Sequence, residues 1–302
     1  MNSILQNFAD GLALGSIYAL IGFSFFLLYG THRIMNLALG SLALAACLMG
    51  NILHQSVGLN FAAVTLASML VAGVVGYLSF FVLYQLLPDR TGAASLVACF
   101  SLWMLIEEMV THYFSANAYR YVSFFGLGEY RIGTLSLQAA DLTLIALAIL
   151  LLGLLPWFLH RSTLGLAVYG LTDDPAAAAW VGVPIRRLRQ QCFMVATALA
   201  ALALSLQGAK LGQLPPMMAM GLTLKALVLT AVCQPLGYRY LLPCGLGLGL
   251  IECFALWYGG ATMRDASVLI LLLLLLITWQ GRSKIAWRLG VPSDSQRRGR
   301  SE

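Results

Sequence analysis

Charge is scarce in this sequence. Only 10% of the 302 residues are Asp, Glu, Lys or Arg and 60% are hydrophobic, against about a quarter and about half in a soluble globular domain. With a mean hydropathy of +0.84, the chain lacks the polar surface to cover itself in water. A soluble fold is excluded and an integral membrane protein is left. Catalytic signatures are missing too. His32, His54, His112 and His160 are widely spaced and form no HExxH motif. There is no GxSxG elbow. There is no GxxxxGK[ST] loop either, so ATP-driven work must come from a partner. Cys47, Cys99, Cys192, Cys233, Cys244 and Cys253 lie in or beside apolar segments and never as CxxC. They signal neither a zinc site nor a disulfide framework and read as small buried hydrophobes. No basic stretch or clear cleavage site flanks the first apolar run, so a removable signal peptide is not expected.

What is present is a series of apolar runs. A membrane span takes about 20 such residues. Runs occur at Gly11 to Gly30, Met35 to Leu53, Phe61 to Leu87, Leu96 to Phe114 and Leu142 to His160. Four more follow at Cys192 to Leu211, Met217 to Cys233, Leu241 to Tyr258 and Ser267 to Gln280. Several are short or interrupted by Gly or Pro. The expected fold is all-α, a polytopic membrane helical bundle of about nine transmembrane segments, range roughly 8–10, with broken or re-entrant helices. Residues 1–281 form the transmembrane domain and residues 282–302 a basic tail.

A net charge of +6 would suit nucleic acid, but the distribution of Lys and Arg points to membrane topology instead. Arg161, Arg186, Arg187 and Arg189 gather in the connection 161–191, and Arg282, Lys284, Arg288, Arg297, Arg298 and Arg300 in the tail. The positive-inside rule puts both in the cytoplasm. Five crossings before the loop then place the N-terminus outside, and the C-terminus is cytoplasmic. The segment 115–141 faces out, with Arg120 and Arg131 offset by Glu129 and Asp141.

Glycines recur inside the apolar runs, at Gly11, Gly15, Gly22 and Gly30 and at Gly245, Gly247 and Gly249, as expected where helices pack closely in lipid. Ionisable groups inside spans are costly and therefore mark candidate functional sites. These are Glu107 and Glu108 in the fourth run, Lys225 in the seventh and Glu252 in the eighth. Each can instead reach an interface, and Lys225 with Glu252 can form an ion pair between spans. In the connection 161–191, Asp173, Asp174 and Pro175 make a helix start. Ala176 to Ala179 favour helix, and Gly182 with Pro184 stops it. A short helix at the membrane surface suits docking to a soluble protein.

The opening Asp10-Gly11-Leu12-Ala13-Leu14-Gly15-Ser16-Ile17-Tyr18-Ala19-Leu20, followed by Tyr29-Gly30 and Asn36, resembles the first two helices of the branched-chain amino acid ABC importer permeases. Thr163 to Gly182 resembles the cytoplasmic coupling loop of that family. Gly221-Leu222 with Lys225-Ala226, and Gly249-Leu250-Ile251-Glu252, resemble the segments either side of its paired glycines. These matches run in order along nearly the whole chain. Departures accompany them. Leu39 stands where the family has His and Ser41 where it has Glu. Ala176 replaces a common acidic residue and Tyr169 a usual Arg, and Gln234 and Pro235 lie near the expected glycine pair.

The resemblance implies a permease subunit, not an enzyme, moving branched-chain or other hydrophobic amino acids across a bacterial inner membrane by alternating access. Implied partners are a second permease, commonly a different sister chain, two cytoplasmic ATPases and a periplasmic solute-binding protein. ATP and Mg would be held by the ATPases, leaving no cofactor in this chain. The implied solute pathway runs past Gly15, Tyr18, Asn36, Gly40 and Ser41, and the implied ATPase contact is Asp173, Asp174, Pro175, Ala178 and Gly182. The lost His and Glu leave urea, short amides or other small solutes as an alternative cargo. A passive channel needs no coupling helix. A membrane-embedded enzyme using Glu107 or Glu108 with His112 lacks a nucleophile or metal partner.

Overall fold

Apolar helices longer than a bilayer is thick dominate the chain. A computed structural model describes residues 2–33, 36–85, 92–114, 119–122, 129–132, 135–234 and 237–260, with residues 266 and 270. The elements are α1 (Asn2–His32), α2 (Leu39–Val57), α3 (Phe61–Gln85), α4 (Gly92–Phe114), β1 (Tyr119–Arg120), β2 (Glu129–Ile132) and β3 (Leu135–Gln138). Then come α5 (Ala139–Arg161), α6 (Thr163–Asp173), α7 (Pro175–Trp180), α8 (Ile185–Leu211), β4 (Gln213–Leu214) and α9 (Met218–Cys233). The helix α10 (Tyr238–Gly260) follows, its first turn 3-10 in form at Tyr238–Tyr240.

The fold is a polytopic helical bundle. Five helices among the described residues are long and apolar enough to cross a membrane, namely Gln6–His32, Phe61–Leu83, Ala94–Phe114, Ile185–Leu211 and Tyr238–Gly260. The helix α1, with 31 residues, is about 46 Å long at 1.5 Å per residue. The helix α9, with 16, reaches only about 24 Å, less than the roughly 30 Å hydrocarbon core. The centre of the bundle is α1, α2 and α8, whose apolar windows and central turns are almost wholly buried. The helices α3, α4 and α10 keep most of their surface outward.

Several elements differ from the sequence expectation. The first helix starts at Asn2, well before Gly11. The helix α8 starts at Ile185, seven residues before Cys192, because Arg186, Arg187 and Arg189 are good helix formers that extend it beyond its apolar core. The connection 161–191 is almost entirely helical. The segment 115–141 carries two antiparallel ribbons. In one, β2 pairs with β3, Glu129 opposite Gln138. In the other, β1 reaches across to β4, Tyr119 opposite Leu214 and Arg120 opposite Gln213. The run Ser267 to Gln280, apart from residue 270, and the tail 282–302 lie outside the described residues.

Candidate functional site

The glycines of α1 and α10 bring two backbones into direct contact. A Cβ on Gly15 would lie 2.6 Å from the Leu246 Cα, and one on Gly245 would lie 2.7 Å from the Ala19 Cβ. A Cβ on Gly249 would meet the backbone of Gly11 and Gly15. Small residues four apart on both helices therefore form one continuous seam.

Beside this seam sits a buried charged cluster. Lys225 of α9 donates from Nζ to Glu252 Oε1 of α10 at 2.7 Å and to the Tyr18 hydroxyl of α1 at 3.1 Å. The ammonium also lies 5.2 Å from the Tyr18 ring centroid. Exposure is 7% for Lys225, 0% for Glu252 and 1% for Tyr18. Lys225 and Glu252 thus form an ion pair between helices. Parallel to α1, α9 is held by Thr230, whose hydroxyl bonds to the carbonyls of Ala226 at 2.8 Å and Gly22 at 3.4 Å.

Gly40, at the start of α2, packs against Thr223 of α9. Just before it, Asn36 is 1% exposed; its Oδ1 accepts the Ala38 N–H at 2.9 Å, while its buried Nδ2 has no hydrogen-bond partner among the described residues. Ser41 returns its hydroxyl to the Ala38 carbonyl at 3.0 Å. Gly15, Tyr18 and Gly40 thus meet α9 or α10, whereas these hydrogen bonds of Asn36 and Ser41 stay within their own turn. Glu107 and Glu108 lie elsewhere, on α4, half-buried and exposed respectively, and α4 packs on α2 and α3. His112, also on α4, stacks edge-on with Tyr113 at 5.3 Å.

A second polar cluster was not anticipated from sequence. Tyr121, next to β1, enters the bundle and donates to Ser205 of α8 at 3.0 Å. Cys47 of α2 lies 3.3 Å from the same hydroxyl, and Asn51 Nδ2 donates to the Arg120 carbonyl at 2.8 Å. Burial, then the Cys47 thiol, pushes the Tyr121 phenol up from its ordinary value, so it remains a neutral donor. The sequence signal was Asn51, a polar residue amid apolar neighbours. Asp141, counted among the acids of the external segment, pairs with Lys210 of α8 at 2.7 Å.

At the opposite end lie α6 and α7. Ser162 caps α6, accepting the Gly165 N–H at 3.0 Å, and Asp173 ends that helix. Asp174 caps α7 through the Ala177 N–H at 3.2 Å, with Pro175 in the first turn. Gly182 has φ +86°. Its N–H bonds to the Ala179 carbonyl at 3.0 Å and that of Val183 to the Ala178 carbonyl at 3.1 Å, which is the Schellman closure. Ala178 faces inward at 7% exposure, whereas Trp180 and Val181 stand out at 91% and 84%. Two arginines fasten this end to α1. Arg33 donates to the Thr172 carbonyl at 2.6 Å and Arg189 to the Thr31 carbonyl at 3.0 Å. Tyr169 of α6 hydrogen-bonds Tyr238 at the start of α10; burial and then that contact push its phenol up to about 12.

Residues 7–279 match the family model described as the branched-chain amino acid transport system permease component. The chain is 25% identical over 289 residues to the high-affinity branched-chain amino acid transport system permease protein BraD of Pseudomonas aeruginosa, covering 90% of this chain and 93% of the relative. It is 24% identical to the corresponding LivH permease proteins of Salmonella typhimurium and Escherichia coli, covering 90% of this chain and 92% of each. The buried pair between α9 and α10 and the capped surface helices thus belong to a multi-pass membrane protein, and the chain is a member of the branched-chain amino acid transport permease family.

Proposed function

We propose that this chain is one permease subunit of an ATP-driven importer that moves branched-chain or other hydrophobic amino acids across a bacterial inner membrane by alternating access. The observation that carries the reading is the exposed Trp180–Val181 tip on a short, doubly capped helix, tied through α6 to both α1 and α10. A chain that binds no nucleotide of its own through a P-loop needs such a handle. Two cytoplasmic ATPases would press on it, placing the α6–α7 end and the basic tail in the cytoplasm and the N-terminus outside. A second permease completes the path, and an external binding protein delivers the solute. Asn36, with Tyr18, Gly15, Gly40 and Ser41, is assigned to that path.

The test is reconstitution of the chain with a sister permease, both ATPases and the binding protein in proteoliposomes. ATP-dependent uptake of labelled leucine, isoleucine or valine is expected, as is its loss in Asn36→Leu with assembly intact. Failure of the purified permease to associate with any ATPase, together with uptake indifferent to Asp174 or Gly182 substitutions, would sink the reading.

A further inference from the structure

The Lys225–Glu252 pair sits midway along its helices, where three of them meet. As a device for stability it is a poor choice: a buried ion pair loses in desolvation much of what it gains in attraction, and apolar residues of similar volume often serve as well. The seam between α1 and α10 is already closed by glycine contacts without it. We infer that Lys225 and Glu252 are the two poles of a binding site for a zwitterionic solute, whose carboxylate takes the Lys225 ammonium while its own ammonium takes the Glu252 carboxylate. The inference rests on the importer reading and adds the site and the ionic form of the cargo.

The exchange is balanced in charge. A zwitterion carries the same two charges as the pair it separates, so one ion pair becomes two and no charge is left unpaired in a low-dielectric interior. Urea or a neutral amide offers only dipoles and cannot replace either partner in this way. Tyr18 accepts a second Lys225 hydrogen bond, which holds the ammonium in place as Glu252 lets go. Ile17, Ile21, Leu222 and Leu248 are buried on the adjoining turns of the same three helices and suit an aliphatic side chain. Tyr18 and Glu252 ride on α1 and α10, packed through their glycines, and Lys225 on the short α9, which Gly22 and Gly40 bring against α1 and α2. The solute opens the pair by binding the opened form better than the closed one.

The experiment uses the complete transporter in proteoliposomes and a labelled mixture of leucine, isoleucine and valine. Two double variants are compared with wild type, Lys225→Met/Glu252→Gln and the charge swap Lys225→Glu/Glu252→Lys. The neutral double variant should assemble to wild-type levels and lose at least 100-fold in uptake. The swap keeps a pair but reverses its poles against the aliphatic wall, and should lose at least 10-fold. Neutral-double uptake within threefold of wild type, or full rescue by the swap, would show a structural pair and overturn the site while leaving the importer reading intact. Wild-type transporter that hydrolyses ATP and moves labelled urea or acetamide but none of the amino acids would overturn it as well. Wild-type complex that never forms with the ATPases is a failure of the importer reading itself.

Discussion

The interior junction of α1, α9 and α10 and the surface pair α6–α7 are built on opposite principles. The junction is held by contacts between residues far apart in sequence: Lys225 with Tyr18 over 207 positions and with Glu252 over 27, and glycines of α1 against those of α10. Little in it is stabilised locally. The surface pair is held by caps, with Ser162 reaching Gly165, Asp174 reaching Ala177 and Gly182 closing the last turn. One region is costly to disturb anywhere; the other tolerates change except at its capping residues.

Breaking the comparison at its strongest point means removing one charge. Lys225→Met alone leaves the Glu252 carboxylate buried without its ammonium, a change that costs about 3–5 kcal/mol. The assembled permease should fall to a small fraction of wild type in detergent, as read by size-exclusion chromatography. A normal yield would mean that the interior is wetter than its burial indicates. Gly15→Leu comes next. Its Cβ would fall 2.6 Å from a backbone Cα, which no rotamer change relieves, so the seam must part. Overpacking of this kind costs about 1–3 kcal/mol, and Tm should drop accordingly, with Gly153→Leu as the control, since a Cβ there meets nothing within 4 Å.

The same contrast explains what could be read from the sequence. The α7 helix was legible residue by residue, because Asp174-Pro175 and Gly182 act on their own backbone. The membrane runs were legible because hydropathy sums over about 20 residues. The Lys225–Glu252 pair was visible only as one option, since pairing across 27 positions depends on how helices stack. The extension of α8 back to Ile185 was hidden by arginines that read as loop charge yet are good helix formers. The β1–β4 ribbon was invisible: two residues on each side, joined across more than 90 positions, leave no periodicity. Tyr121 and Asn51 become meaningful only once that ribbon is in place.

Within the surface pair the expected effects are smaller. Gly182→Val forces a β-branched residue to φ +86°, where strain of about 1–3 kcal/mol arises. The outcome should be a frayed α7, detected as faster amide exchange at Val181 and Val183. Asp174→Ala removes one cap at about 1 kcal/mol, and a change in Tm too small to resolve alongside measurably lower uptake is the expected pairing. Loss of the whole fold from either substitution would show that α6–α7 is structurally continuous with the bundle.

The smallest effect on stability should accompany one of the largest on function. Trp180 is 91% exposed, so Trp180→Ser removes little packing and should move stability by no more than about 0.5 kcal/mol. If the tip is the ATPase contact, its large aromatic surface is the kind of residue whose truncation costs an interface about 2 kcal/mol or more, near a 30-fold loss of affinity. Titrating purified ATPase against the variant permease measures this directly. An unchanged affinity would move the docking surface away from α7, whereas unchanged folding with lost docking would separate the residues that build this permease from those that link it to its energy source.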